Sequence, residues 1–333
     1  MLGKQTDLIE GNIFKALLVF AVPLLIGNLF QQLYNTADSY VVGNFVDTNA
    51  LAAVGASASV IQMLVGFFMG LSVGAGVVIA QYFGAGQKEK MSQAVHSALA
   101  LTVLLSALFT VAGIALTRPL LRAIGVPQEV LPHSTLYLTI YFAGITFLLF
   151  YNMGSGILRA IGNSRDPLIY LAVASVLNVI LDVLLVCVAR LGVAGVALGT
   201  MIAQAVSAYL VMRQLIRTRE AYRVELKKIR FHRDMIRQIL MVGLPAALQQ
   251  SITAFSNVVV QSYINSFGTA AIAGYSTTIR IDGFLQLVLQ SFNMTITTFV
   301  GQNYGANKKD RVYKGIHVCM GMSFALLWPE ASG

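Results

Sequence analysis

The chain of 333 residues is 56% hydrophobic and only 11% charged, with a mean hydropathy of +0.72. So few polar side chains cannot cover the surface of a water-soluble globule of this size, and the composition predicts an all-α integral membrane protein. The formal net charge of +9 is accounted for by basic residues in the loops between spans, which excludes nucleic acid as a partner.

Charge-poor windows of about 20 residues or more predict the membrane-spanning helices. Eight windows qualify, at residues 14–44, 53–82, 93–116, 134–157, 168–189, 193–212, 237–265 and 271–300. A ninth apolar stretch runs from Ile316 to Trp328 and is too short to cross. With a cytoplasmic N-terminus, nearly every Lys and Arg of the short loops lies on the cytoplasmic side. The sequence therefore predicts a multi-pass protein of the cytoplasmic membrane, with its N-terminus in the cytoplasm.

The chain contains an internal repeat. Pro23 and Asn35 in the first window correspond to Pro245 and Asn257 in the seventh. The ends of the second and eighth windows also match, as Gln81-Tyr82-Phe83-Gly84 and Gln302-Asn303-Tyr304-Gly305. Because six spans separate the copies and both begin on the same side, the repeat is parallel, an arrangement in which transporters bind cargo between their halves.

The repeat predicts a polytopic helical bundle of two parallel-repeat lobes. We expect a complete six-helix N-terminal lobe in residues 1–212 and a basic cytoplasmic linker in residues 213–236. The C-terminal lobe, residues 237–333, is expected to be cut off after about two and a half helices. The sequence is thus interpreted as a C-terminally truncated form of a twelve-helix protein.

Two of the three acidic residues inside predicted spans indicate a site, because a charge in a span is costly and tends to face a bundle interior or a wet cavity. The third, Asp282, is expected to have a structural role. Asp38 lies in the first span, and Asp182 lies in the fifth, one helical turn after Asn178. Asp38, Asp182 and Thr200 all lie about 10 Å below the outer surface at the rise of an α-helix. If these residues converge, their oxygens would suit a hard cation or a shared proton. The alternative is that Asn178 and Asp182 bond to a neighbouring helix and that Thr200 bonds to backbone.

Amide, aromatic and methionine side chains in the spans predict a chamber for amphipathic ligands. The candidate residues are Tyr34, Asn35, Tyr137, Tyr141, Phe255, Asn257, Gln261, Gln290 and Met294. The alternative is simple packing, which is common for aromatic and methionine side chains at such spacing.

Together these features resemble the MATE (multidrug and toxic compound extrusion) family of efflux transporters, in its prokaryotic type. The resemblance spans Gly11 to Phe324 and depends on Pro23, on the Asn35-Thr36-Ala37-Asp38 stretch, on the Gln81 loop with its copy at Gln302, and on Asn178, Asp182 and Thr200. It implies an antiporter of two six-helix lobes in a V, which exports organic, often cationic, compounds in exchange for H⁺ or Na⁺ by alternating access.

The resemblance also implies residue roles. Prokaryotic-type members place the coupling-ion site on residues that match Asp38, Asn178, Asp182 and Thr200, and bending near the residue that matches Pro23 has been linked to substrate release. The family implies no enzyme activity and no cofactor beyond the coupling ion, with small organic substrates and membrane lipids as partners of a monomer. Any metal ion at the site would be Na⁺.

Three alternatives to a multidrug antiporter remain at this point. A lipid-linked saccharide flippase would share the repeat, but it favours an Arg- and Lys-rich lumen, where only Arg280 is available. A non-functional fragment is the second. An intramembrane aspartyl enzyme could use Asp38 and Asp182 as an acid/base dyad, although the loops contain no accompanying catalytic motif.

Overall fold

The computed structural model describes residues 6–46, 48–265, 267 and 269–331. Within these ranges, no side-chain description extends to residues 48, 49, 51, 59, 255, 258, 261, 262, 265, 269–281, 284 and 326–331. Among the described residues the protein is helical without strands. Its helices are α1 Ile13–Phe45, α2 Thr48–Gly84, α3 Lys88–Ala123, α4 Leu131–Ala160, α5 Arg165–Asp182, α6 Val193–Arg217, α7 Arg233–Asn265, α8 Thr269–Gly305 and α9 Lys309–Ala331. A π-helical turn, Val183–Val188, continues α5.

The predicted spans coincide with these helices, except that the window 168–189 covers most of α5 together with the π-helical turn and ends one residue beyond it, and helices α1–α6 are long and apolar enough to cross a membrane. The helices exceed the apolar windows because a helix satisfies its own backbone hydrogen bonds and can continue through polar residues at the membrane surface. For the same reason the stretch from Ile316 to Trp328 is part of a 23-residue helix, α9. The chain is a multi-pass helical membrane protein.

The segment between α6 and α7 is docked against the start of α3. Because α6 continues to Arg217, the connection covers residues 218–232, less than the 213–236 predicted for the linker. The backbone N–H of Glu225 donates to Nε2 of the buried His96 at 3.0 Å, and the N–H of His232 donates to Ser97 Oγ at 3.2 Å. We call this side of the bundle, where α1 begins and α2 ends, the linker end.

The first two helices of each copy have equal lengths. Helices α1 and α7 each contain 33 residues, and α2 and α8 each contain 37. At the linker end the contact between α2 and α8 is reciprocal: a Cβ on Gly84 would collide with the Gln302 carbonyl, and a Cβ on Gly305 would collide with the Gln81 carbonyl. Glycine allows this close backbone approach, so the repeated Tyr/Phe-Gly sequence is the point where the halves meet most tightly.

A second close approach joins α2 to α7. Gly70 packs against the backbone of Ala247, and Gly74 packs against Gly243, with no room for a Cβ at either glycine. Small residues allow membrane helices to gain dispersion contacts without a hydrophobic driving force. The halves are therefore joined along α2 as well as at its end.

The segment before α1 is tied to the α8–α9 turn. The Arg311 guanidinium donates to the carbonyls of Gly11 at 2.8 Å and Glu10 at 2.9 Å, and Asn303 Nδ2 donates to the Leu8 carbonyl at 3.0 Å. The Leu8 side chain is fully buried and packs in a cluster with Phe20 and Phe299. The linker end is thus closed by contacts between the beginning and the end of the described chain.

Candidate functional site

Three helices bring the four candidate ion-coupling residues together. Asp38 comes from α1, Asn178 and Asp182 from α5, and Thr200 from α6, and all four side chains are buried. Thr200 Oγ1 donates to Asp38 Oδ2 at 3.4 Å, and Asn178 Nδ2 donates to Thr200 Oγ1 at 3.5 Å. The carboxyl groups of Asp38 and Asp182 are neighbours in this cluster. The faces of the three helices therefore converge on one cluster.

Local backbone features place Asp182 in this cluster. It is the last residue of α5 before the π-helical turn, and such wide turns within helices are frequent at functional sites. Gly199 on α6 faces its carboxylate, and a Cβ there would lie 2.6 Å from Asp182 Oδ1. A glycine at this position lets α6 pack directly against the acid.

The cluster has more acceptors than donors. Asp38 Oδ1, Asn178 Oδ1 and both carboxylate oxygens of Asp182 are buried and have no hydrogen-bond partner among the described residues. The ion pairs of the described chain, Lys228–Glu225 and Lys308–Glu10, involve other residues. Carboxylate and amide oxygens without donors attract a proton or a hard cation.

A small cavity adjoins the cluster. Its wall includes Tyr34, Asn178, Thr200 and Gln204, and its volume of about 10 Å³ is close to that needed by one water molecule. A bare Na⁺ is no larger than a water molecule, so the cavity also has room for that ion. Among the described residues no group of three or more His, Cys, Asp and Glu side chains forms a metal site of the transition-metal kind.

Three predicted chamber residues lie beside this cluster, inside the bundle of α1–α6. Tyr137 and Tyr141 on α4 are buried and stack with ring centroids 6.5 Å apart, and Tyr34 lines the small cavity. The sequence could not show this placement, because spacing along α4 does not reveal which neighbour its aromatic face meets. Tyr34 and Tyr137 lie close to Asp38, and none of the three tyrosines lines the described cavity between the halves.

The other predicted chamber residues are dispersed. The exposed ones are Asn35, Asn257 and Gln290. Met294 on α8 lies between the halves, where it lines a cavity formed by α2, α4, α7 and α8. The predicted Phe255 and Gln261 lie outside the residues whose side chains are described. Pro23 lines a further cavity of about 60 Å³, whose wall also includes Gln204, Arg159 and Met294.

Sequence reasoning missed three residues of this region. Gln204 is buried beside Tyr34, and its position one turn after Thr200 on α6 was a usable signal. Gly199 precedes Thr200, but a close approach cannot be read from one glycine. Arg159 falls outside the predicted window 134–157 and was therefore counted among the basic loop residues, whereas the structure places it in the last turn of α4, lining two cavities.

The MatE family model matches residues 23–184 and 245–331, which make up most of the chain and include Asp38, Asn178 and Asp182. The chain belongs to the MATE family. This MATE protein is 30% identical over 309 residues to the probable multidrug resistance protein YpnP of Bacillus subtilis, an alignment that covers 93% of the chain and 69% of the relative. It is 25% identical to the multidrug export protein MepA of Staphylococcus aureus, with 95% of the chain and 71% of MepA covered.

Solved structures agree with the fold of this MATE protein. One is described as the outward-facing conformation of a multidrug resistance MATE family transporter of the MOP superfamily, and it superimposes with a TM-score of 0.92 at 25% identity. The match covers 99% of this chain and 73% of the solved one. MepA is named as an export protein and the solved structure as a transporter.

Proposed function

We propose that this MATE protein is a multidrug efflux antiporter, which exports organic, often cationic, compounds in exchange for H⁺ or Na⁺. The observation that carries the proposal is the buried convergence of Asp38, Asn178, Asp182 and Thr200 with oxygens that lack donors. The names of the relatives YpnP and MepA support multidrug compounds as the cargo.

The coupling follows from electrostatics. Two neighbouring carboxylates that are both charged in a low-dielectric interior repel each other, and a proton or Na⁺ between them removes that cost. The occupied and empty states of the cluster therefore differ in energy, and any movement of α1 or α5 that separates Asp38 from Asp182 changes the affinity for the ion. An ion gradient can bias the conformational equilibrium through this difference.

We infer that α1–α6 and α7–α9 belong to two lobes that alternate around the space between them. With the basic linker and the N-terminus in the cytoplasm of a cell-membrane protein, the tight α2–α8 contact closes the cytoplasmic side, which corresponds to an outward-facing state. Pro23 has no N–H to donate inside α1, and it shares a cavity with Gln204, which also lines the small cavity beside the acid cluster. Pro23 is therefore the proposed hinge for moving Asp38. The protein is proposed to act as a monomer in the lipid bilayer.

Ethidium efflux from cells that lack their own multidrug exporters tests the proposal. Asp38→Asn should abolish efflux, because the amide cannot release a proton or balance a cation, while the amount of protein in the membrane is unchanged. Asp282→Asn on α8 is the matched control, since Asp282 is exposed and distant from the cluster in sequence, and it should leave efflux intact. Normal efflux by Asp38→Asn would refute the proposal.

The flippase alternative has less support. A lumen for a lipid-linked saccharide would favour several basic side chains, and among the described residues the cavity between the halves is lined by one, Arg159. The side chain of Arg280 lies outside the described part. The multidrug proposal is therefore preferred.

A further inference from the structure

The cavity between the halves contains an unusual charge. It has a volume of about 220 Å³ and is lined by Arg159, by amide and hydroxyl side chains such as Gln250, Asn293 and Thr297, and by the apolar Val77 and Met294. This mixture of apolar wall and a few polar groups is typical of a site for an amphipathic molecule. The volume suits the polar end of such a molecule.

Arg159 has no partner for its charge within the described part of the chain. No carboxylate lies within 4.0 Å of its guanidinium, and the guanidinium makes no hydrogen bond to any described residue. The side chain is partly buried and lines the inter-half cavity on one side and the cavity behind Pro23 on the other. A guanidinium held away from bulk water in this way is costly unless an anion joins it.

A purely structural role would require hydrogen bonds or ion pairs that the Arg159 guanidinium does not make with any described residue. Its position in the last turn of α4 gives it some stabilisation from the helix dipole, which is small compared with a hydrogen-bonded ion pair. Arg311 shows how this protein uses an arginine for structure, because its guanidinium donates to the carbonyls of Leu8, Glu10 and Gly11. Arg159 instead presents its donors to the cavity.

We propose that Arg159 is the binding position for an oxyanion, a carboxylate or a phosphate, carried by an amphipathic molecule in the cavity between the halves. The planar guanidinium fits two oxygens of such a group, and the neighbouring amide and hydroxyl groups can complete its hydrogen bonds. The oxyanion belongs either to a transported solute or to a phospholipid headgroup. The proposal rests on the proposed function in taking this cavity as the place where cargo binds, but it does not depend on ion coupling.

Equilibrium binding to the purified protein tests the site without transport. Rhodamine 6G and its free acid are suitable probes, because they differ only in whether one carboxyl group is esterified, and a short-chain phosphatidate, dihexanoyl phosphatidate, tests the lipid source. The variants are Arg159→Gln, which removes the charge, and Arg159→Lys, which keeps the charge but loses the planar guanidinium that can bind two oxygens at once. Arg165→Gln is the matched control, because Arg165 is an exposed arginine at the start of α5 near the same end. Thermal unfolding of each variant checks that it is folded.

The expected result is a loss of about tenfold or more in affinity for the free acid, the phosphatidate or both in Arg159→Gln. The affinity of Arg159→Lys for these anions should lie between those of the wild type and Arg159→Gln. Arg165→Gln should bind the anions as tightly as the wild type does, and the affinity for the ester should be unchanged in every variant. Loss for the free acid alone identifies a solute as the source, and loss for the phosphatidate alone identifies a lipid.

Two results would overturn the proposal: unchanged affinity for both anions in Arg159→Gln, or an equal loss for the ester and its acid. If neither the wild type nor any variant binds the ester, while the wild type binds an anion and Arg159→Gln does not, the multidrug proposal fails and the oxyanion site stands. If the wild type and all variants bind the ester, and Arg159→Gln binds both anions with unchanged affinity, only the oxyanion site fails.

Discussion

The substitution Asp182→Asn is predicted to stabilise this MATE protein at alkaline pH and to abolish its efflux activity. Both Asp182 oxygens are buried without a donor, and Asp38 is its nearest ionisable neighbour. Two full charges about 4 Å apart repel by about 4 kcal/mol at an effective dielectric constant of about 20. An asparagine removes this repulsion and adds an N–H group that can donate a hydrogen bond to Asp38.

Thermal unfolding in detergent without Na⁺ measures this effect. At about 2 °C per kcal/mol, we expect Asp182→Asn to unfold about 5–10 °C above the wild type near pH ~9. Near pH ~5 a proton between the carboxylates relieves the wild type, so the difference should shrink towards zero. The stability of the wild type therefore rises as the pH falls, whereas that of the variant changes little at this site.

Asp166→Asn is the matched control, because Asp166 is also buried but accepts hydrogen bonds from Asn163 and Gln214 through the same oxygen. An asparagine at this position can offer its carbonyl oxygen to both donors but loses the negative charge that strengthens these hydrogen bonds, so Asp166→Asn should unfold below the wild type at both pH values. If Asp182→Asn behaves in the same way and is destabilised at both pH values, the repulsion between Asp38 and Asp182 is not the dominant interaction and the reasoning is refuted.

The remaining predictions concern packing and the closed end. Gly199→Ala should lower the free energy of unfolding by about 1–3 kcal/mol and raise severalfold the ion concentration that gives half-maximal efflux, because its Cβ displaces the Asp182 carboxylate. Gly321→Ala is the control: no atom lies within 4 Å of the new Cβ, so neither the unfolding temperature nor efflux should change. Gly84→Ala should separate α2 from α8, which lowers the unfolding temperature and the efflux rate together, and normal values of both would contradict the close contact. Arg311→Gln should release the segment before α1, so that limited proteolysis cleaves it faster than in the wild type, and equal cleavage rates would show that these hydrogen bonds do not hold it.

The helices and the repeat could be predicted because their signals are local. A charge-poor window is itself the signal for a membrane span. The matching positions of Pro23 and Pro245 predict matching helices, and the structure gives α1 and α7 the same length. The helix ends were less accessible, since polar residues such as those before Arg217 can extend a helix without any apolar signal. This is why the predicted linker was longer than the observed connection.

The convergence of the acids was partly predictable and their surroundings were not. Depth along a helix follows from residue number, so Asp38, Asp182 and Thr200 could be placed at one level. Which face of α4 meets them depends on how four helices pack, and for that reason the position of Tyr137 beside the acids could not be predicted. Arg159 followed the rule that basic residues mark cytoplasmic loops, and this rule cannot distinguish a loop from the last turn of a helix beside a cavity.

The most direct test of the central claim counts the ions released when ethidium binds to the purified protein. Calorimetric titration in buffers of different ionisation enthalpy measures protons, and a Na⁺-selective electrode measures sodium. If Asp38 and Asp182 hold the coupling ion, the wild type should release a proton or a Na⁺ as ethidium binds, and the double variant Asp38→Asn, Asp182→Asn should bind ethidium without releasing either. Equal release from the wild type and the double variant would contradict the account, because the exchanged ion would then be held elsewhere.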